Sequence, residues 1–169
     1  MRRAATIALA LAMATPARAD DPAAAEALFQ EGRRLVADGN YAEACPKFEE
    51  SLHHDRAVGT LWHLARCLEE TGAIASAWAR YREAAAEARK TDEDARERAA
   101  LHRAKALEPR LPRLTIDVPV EHRVDGLTVT RDGTAIGPGV WGTPLPVDPG
   151  THVIEAAAPG YQPWNAPAK

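Results

Sequence analysis

The chain has 169 residues, a formal net charge of −3 and a mean hydropathy of −0.35, which leaves room for one domain or two small ones and argues against a general phosphate-binding surface. Hydrophobic residues make up 46%, but 36 of them are Ala, so large apolar side chains are scarce and closely packed thin helices are favoured over one deep core. Thirty of the Ala lie in residues 1–108 and only Ala135 in 109–155, while ten of the 13 Pro and seven of the 11 Gly fall in 109–169. The composition predicts an α+β chain in two parts, an Ala-rich helical part and a Pro/Gly/Val-rich β part, joined near Pro109.

Met1-Arg2-Arg3, the apolar stretch Ala4 to Met13 and the small residues Ala17 and Ala19 make the three parts of a secretory signal peptide over residues 1–19, cut after Ala19. An ordinary N-terminal helix is the other reading, but no polar face recurs at helical spacing. The stretch is too short to span a bilayer, and Asp20 rather than Cys follows the cut, so no lipid attaches there. The expected location is the periplasm or the exterior, and loss of Arg2, Arg3 and Arg18 takes the net charge to −6. In an exported chain the two Cys, Cys45 and Cys67, are expected to pair, a loop closure of roughly 3 kcal/mol; the alternative is two buried free thiols.

Residues 20–108 read as helical, and sliding them by 33 residues brings like onto like: Leu28 on Leu61, Gly32 on Ala65, Leu35 on Leu68, Gly39 on Gly72, Ala44 on Ala77, Phe48 on Tyr81 and Ser51 on Ala84. Small residues at 32, 44, 65 and 77 let helix backbones approach, and Gly39 and Gly72 stand where a helix stops on a left-handed residue. Asn40 with Glu43 is expected to cap the second helix, Pro46 to bend it, and Thr91-Asp92-Glu93-Asp94 to open a fifth helix through a capping box. The pattern resembles the tetratricopeptide repeat over about residues 22–108, with Leu28 and Leu61 at the usual aromatic position and Arg56 where Pro is expected. Two and a half such repeats are few for independent stability, so the shortfall falls to the disulfide, to docking of the β part or to self-association.

Residues 109–112 read as a linker and 113–169 as a small antiparallel β-sandwich. Leu114, Ile116 and Val118 alternate with polar residues, as do Leu127 and Val129; Asp132-Gly133, Asp148-Pro149-Gly150 and Pro159-Gly160 are turn signals. The run from Gly142 to Tyr161, preceded by Gly126–Gly133, is similar to a PEGA domain, a β-module of bacterial envelope proteins, over about residues 113–165. Only eight residues follow Tyr161, which leaves the last strand short or missing and an edge open to another chain.

Catalytic chemistry finds no support. Gly137-Pro-Gly-Val-Trp-Gly142 matches a dinucleotide fingerprint by letter, but Thr-Pro-Leu-Pro follows and no helix can start there. His53, His54 and His63 form the one His cluster, without ligand spacing, because adjacent helical positions point about 100° apart. No enzyme, cofactor or metal role is expected. What remains is recognition. The tetratricopeptide resemblance implies that Phe29, Arg33 and Val36 of the first repeat and Trp62, Arg66 and Glu69 of the second line the concave face, two aromatics and two Arg in register, suited to an extended protein or peptide partner with a carboxylate. The competing reading packs Phe29 and Trp62 against the fifth helix. Trp141, Tyr161 and Trp164 are expected in the β core, the alternative being a strip that stacks on sugar rings. The function these features suggest is an exported, non-enzymatic interaction scaffold of the cell envelope, with self-association as a further option; the alternative is a glycan- or peptidoglycan-binding module with the helices as spacer.

Overall fold

The computed structural model describes residues 21–169, so the leader expected over 1–19 and its cut after Ala19 lie outside the described residues. Helix α1 (Pro22–Ala37) starts where the Asp21 carboxylate accepts from the Ala24 N–H at 3.0 Å and Pro22 fills a first-turn position that needs no N–H. Four more helices follow: α2 (Tyr41–His54), α3 (Val58–Glu70), α4 (Ile74–Lys90) and α5 (Asp94–Leu107). The turns after α1 and α3 are copies of one another. In each a glycine takes a positive φ (Gly39 at 74°, Gly72 at 83°), and the next residue's N–H reaches back five residues, Asn40 to the Leu35 carbonyl at 2.8 Å and Ala73 to that of Leu68 at 2.9 Å. After α4 the same bond runs from Glu93 to Ala88 at 2.8 Å, with Asp92 in the glycine's place at φ 56°.

The expected caps do not form. Asn40 precedes α2 without a side-chain hydrogen bond. Thr91 ends α4 instead of opening α5: its hydroxyl bonds the Glu87 and Ala88 carbonyls and the Glu93 carboxylate, and α5 begins at Asp94. Helix α2 runs unbroken through Pro46.

Packing follows the small residues. A Cβ on Gly32 would stand 2.7 Å from the Phe48 ring, so α1 and α2 meet through glycine against a fully buried aromatic. Ala65, Ala77 and Tyr81 repeat the arrangement between α3 and α4, and Ala84, Ala85 and Ala100 carry it to α5. Cys45 and Cys67 come to disulfide distance, with Cα atoms 5.6 Å apart, and join α2 to α3.

Beyond Leu107 a 3₁₀ turn (Glu108–Arg110) leads into two small antiparallel sheets. One pairs β1 (Arg113–Leu114) with β4 (Leu145–Pro146). The other has the order β3-β2-β5-β6, from β2 (Thr128–Arg131), β3 (Thr134–Ala135), β5 (His152–Ala157) and β6 (Trp164–Ala168). Val118, Val129 and Ile154 form the core between them, covered by Leu114, Ile116, Leu127 and Trp141. The last strand is present, and β6 pairs with β5 from His152–Ala168 to Ala156–Trp164. The two parts touch at the start of α4, where the Asp148 carboxylate accepts from the Ser76 N–H at 2.9 Å and hydroxyl at 2.6 Å.

Candidate functional site

Helices α1, α3 and α5 share one face of the helical part, and a groove crosses it. Toward α5 it is a cleft of about 350 Å³ lined by Gly59, Trp62 and His63 of α3, Ala84 of α4, and Ala95, Arg96 and Ala99 of α5. Toward α1 it continues as a cleft of about 330 Å³ bounded by Glu26, Phe29, Asp55 and Thr60, and the two meet at Gly59 and Arg96. Its floor is of small residues because those are what let the helices approach. A Cβ on Gly59 would meet nothing within 4 Å.

Among the six residues expected on this face, Phe29 and Trp62 border the groove as half-buried side chains. Phe29 lies 5.9 Å, ring centre to ring centre, from Phe48 and 5.2 Å edge-on from His63, and does not pack on α5. Trp62 meets Tyr81 edge-on at 5.2 Å and borders the α4–α5 clusters, so packing and lining are both true of it. Arg33 places its guanidinium 5.8 Å from the centre of the Phe29 ring. Arg33 and Arg66 are both exposed, and among the described residues neither has a carboxylate within ion-pair distance, although eight other Arg do. Val36 is half-buried against the α1–α2 core. Glu69 is engaged within the fold: it accepts from the Tyr81 hydroxyl at 3.1 Å and from Arg103 at 2.6 and 2.7 Å.

One groove residue is absent from the sequence reading in this role. His63 stacks on Phe48 at 5.6 Å and meets Phe29 edge-on, away from His53 and His54, which both face Glu50. Burial, and then Arg33 and Arg66, hold its imidazole below the usual histidine range. The groove therefore presents a neutral aromatic cluster, and Arg33 and Arg66 stand unpaired near it, outside the lining of either cleft.

In the β part, Trp141 is half-buried and donates from Nε1 to the Ile136 carbonyl at 2.9 Å, as expected of a core residue. Tyr161 and Trp164 depart from that expectation. They are 64% and 55% exposed and flank a cleft of about 280 Å³ with His122 and Gln162. Among the described residues no group of three His, Cys, Asp or Glu is arranged to hold a metal ion, and no helix is long and apolar enough to cross a membrane. Comparison with protein-family models, curated proteins and solved structures gave no match.

Proposed function

We propose that this chain is an exported, non-enzymatic interaction scaffold of the cell envelope, whose helical groove captures an extended peptide segment bearing a carboxylate and whose β part docks or anchors the assembly. The observation that carries this reading is the pair Arg33 and Arg66. They stand without acidic partners beside the aromatic cluster of Phe29 and His63, whereas eight other Arg of the described residues are paired with carboxylates. Aromatic and Arg side chains are the usual anchors of interfaces, and an unpaired guanidinium retains all its donors for a carboxylate. The secretory leader read in residues 1–19, the tetratricopeptide-like repeat and the PEGA-like run support an envelope setting.

The test is binding of extended peptides to the mature full chain, each offered with a free and with an amidated C-terminus. Replacing Arg33 and Arg66 by Ala removes two charge-assisted hydrogen-bonding groups, about 1.5–3 kcal/mol each, and should weaken capture of the free-acid peptides tenfold or more while circular dichroism stays unchanged. Unchanged affinity in the double variant would end the groove reading.

A second reading is favoured by the exposure of Tyr161 and Trp164, which suits stacking on sugar rings. Here the β part holds peptidoglycan or a surface polysaccharide and the helices act as a spacer. Co-sedimentation with purified cell wall, lost on Tyr161→Ala with Trp164→Ala and indifferent to Arg33→Ala with Arg66→Ala, would decide for it.

A further inference from the structure

The junction between the helical and β parts is built from ionisable groups. Ala73 precedes α4 and has no side chain able to cap it, so the first-turn donors need an acceptor from elsewhere. That acceptor comes from 72 residues along the chain, as the Asp148 carboxylate on the Ser76 N–H and hydroxyl, a negative group at the positive end of the helix. His152 fixes the loop that carries Asp148. Its Nδ1 lies 2.6 Å from Asp132 Oδ2, and its Nε2 lies 2.8 Å from the Asp148 carbonyl. Asp132 is itself held by the Val153 N–H on its other oxygen, at 2.9 Å. Both partners of the ring are acceptors. A neutral imidazole has one N–H to give, and only the imidazolium donates to both at once.

We propose that His152 is a protonation latch between the two parts of the molecule: charged, it ties the Asp148 loop to the Asp132 turn and holds Asp148 against α4; neutral, it releases one tie and the β part loosens from the helices.

The groups facing His152 decide which form of the ring is favoured. Asp132 and then the Asp148 carbonyl favour the charged ring, Arg131 opposes it, and the balance lies above the ordinary histidine value. From α4 the junction cleft is faced by Ser76 and Trp78, and β6 sets uncharged Ala168 opposite the ring. Asp132 is held below the ordinary carboxylate range, first by His152 and then by the Val153 N–H, so it stays ionised while the ring titrates. A histidine raised in the folded state contributes its full stabilisation below its ordinary value and loses it as pH rises through the raised one. The latch is closed in mild acid and opens toward alkaline pH. It does not depend on what the groove holds.

The experiment is a pH titration from about 5 to 9 of the mature full chain by NMR, following the His152 ring nitrogens and the Ser76 amide. Both ring nitrogens should be protonated at the acid end, and the Ser76 amide, 72 residues distant in sequence, should move with the same midpoint as the ring. Asp132→Asn keeps an oxygen for the Val153 N–H, so the turn stays folded, but removes the charge; both midpoints should fall together. In His152→Asn the Ser76 amide should no longer titrate in this range. A Ser76 amide that stays fixed while the ring titrates, or that keeps its midpoint in Asp132→Asn, would overturn the latch.

Discussion

Gly32 shows how much one missing methyl decides. Three atoms of the Phe48 ring would lie 2.7 to 2.9 Å from a Cβ at that position, and the ring is wholly buried, with no room to withdraw. Gly32→Ala should therefore destabilise the helical part by about 1–3 kcal/mol despite alanine's better helix propensity. Gly59→Ala is the control. It is also helical, its Cβ would enter open groove, and it should add up to about 1 kcal/mol. Urea unfolding of the two variants, read at constant m-value, gives both signs. The pairing of Gly32 with Ala65, and of Phe48 with Tyr81, was legible in the sequence because close helix approach demands a small residue at a fixed offset from a large one. His63 was not legible as a groove residue. Its ring is placed by Phe29 and Phe48, which reach it from two other helices, and nothing local to position 63 records that contact.

At the scale of elements, strand β6 answers the question of the open edge. The Asp132 N–H donates to the Val153 carbonyl, so Val153 turns its backbone groups toward β2. In an antiparallel ladder these directions alternate, and the β5–β6 register then makes Val153–Pro167 a non-hydrogen-bonded pair. Pro167 faces outward, where a proline removes an N–H from the free edge and none from the sheet, and Pro163 stands immediately before the strand. The exposed strand is thus present but poorly equipped to accept another chain, one of the known protections of sheet edges. Replacing both prolines by Thr should restore the donors and promote self-association, seen as a concentration-dependent rise in sedimentation coefficient. A chain that stays monomeric would show that the prolines do not guard this edge. Helices and turns were readable from periodicity and glycine; the last α-helix ends at Leu107 and Pro109 sits in the 3₁₀ turn that follows. The caps were misread because the turn after α4 uses Asp92 in a left-handed conformation where glycine stood before, which shifts Thr91 into the preceding helix.

Across the whole molecule, stability rests on how few elements brace each other. The second helical pair, α3 and α4, is backed by α5 through Ala100, Ala104 and Leu107, and by the β part through Asp148. The first pair, α1 and α2, leans on a main seam formed by Leu64 and Cys67 of α3 against Leu35, Ala44, Cys45 and Phe48, with Leu52 of α2 reaching the cluster of Leu61, Ala84, Ala85 and Ala100. The Cys45–Cys67 pair closes that seam across 22 residues of chain, a constraint of roughly 3 kcal/mol by loop-closure entropy. Its loss should then be felt unevenly. In the Cys45→Ala/Cys67→Ala chain, amide exchange in α1 and α2 should accelerate by up to about a hundredfold, the equivalent of those 3 kcal/mol, while α4 and α5, braced on two sides, keep their protection. Hydrogen exchange read by mass spectrometry, peptide by peptide, distinguishes this from an even loss over all five helices. An even loss would mean that the helical part opens as one unit and that the sulfur pair is not its seam.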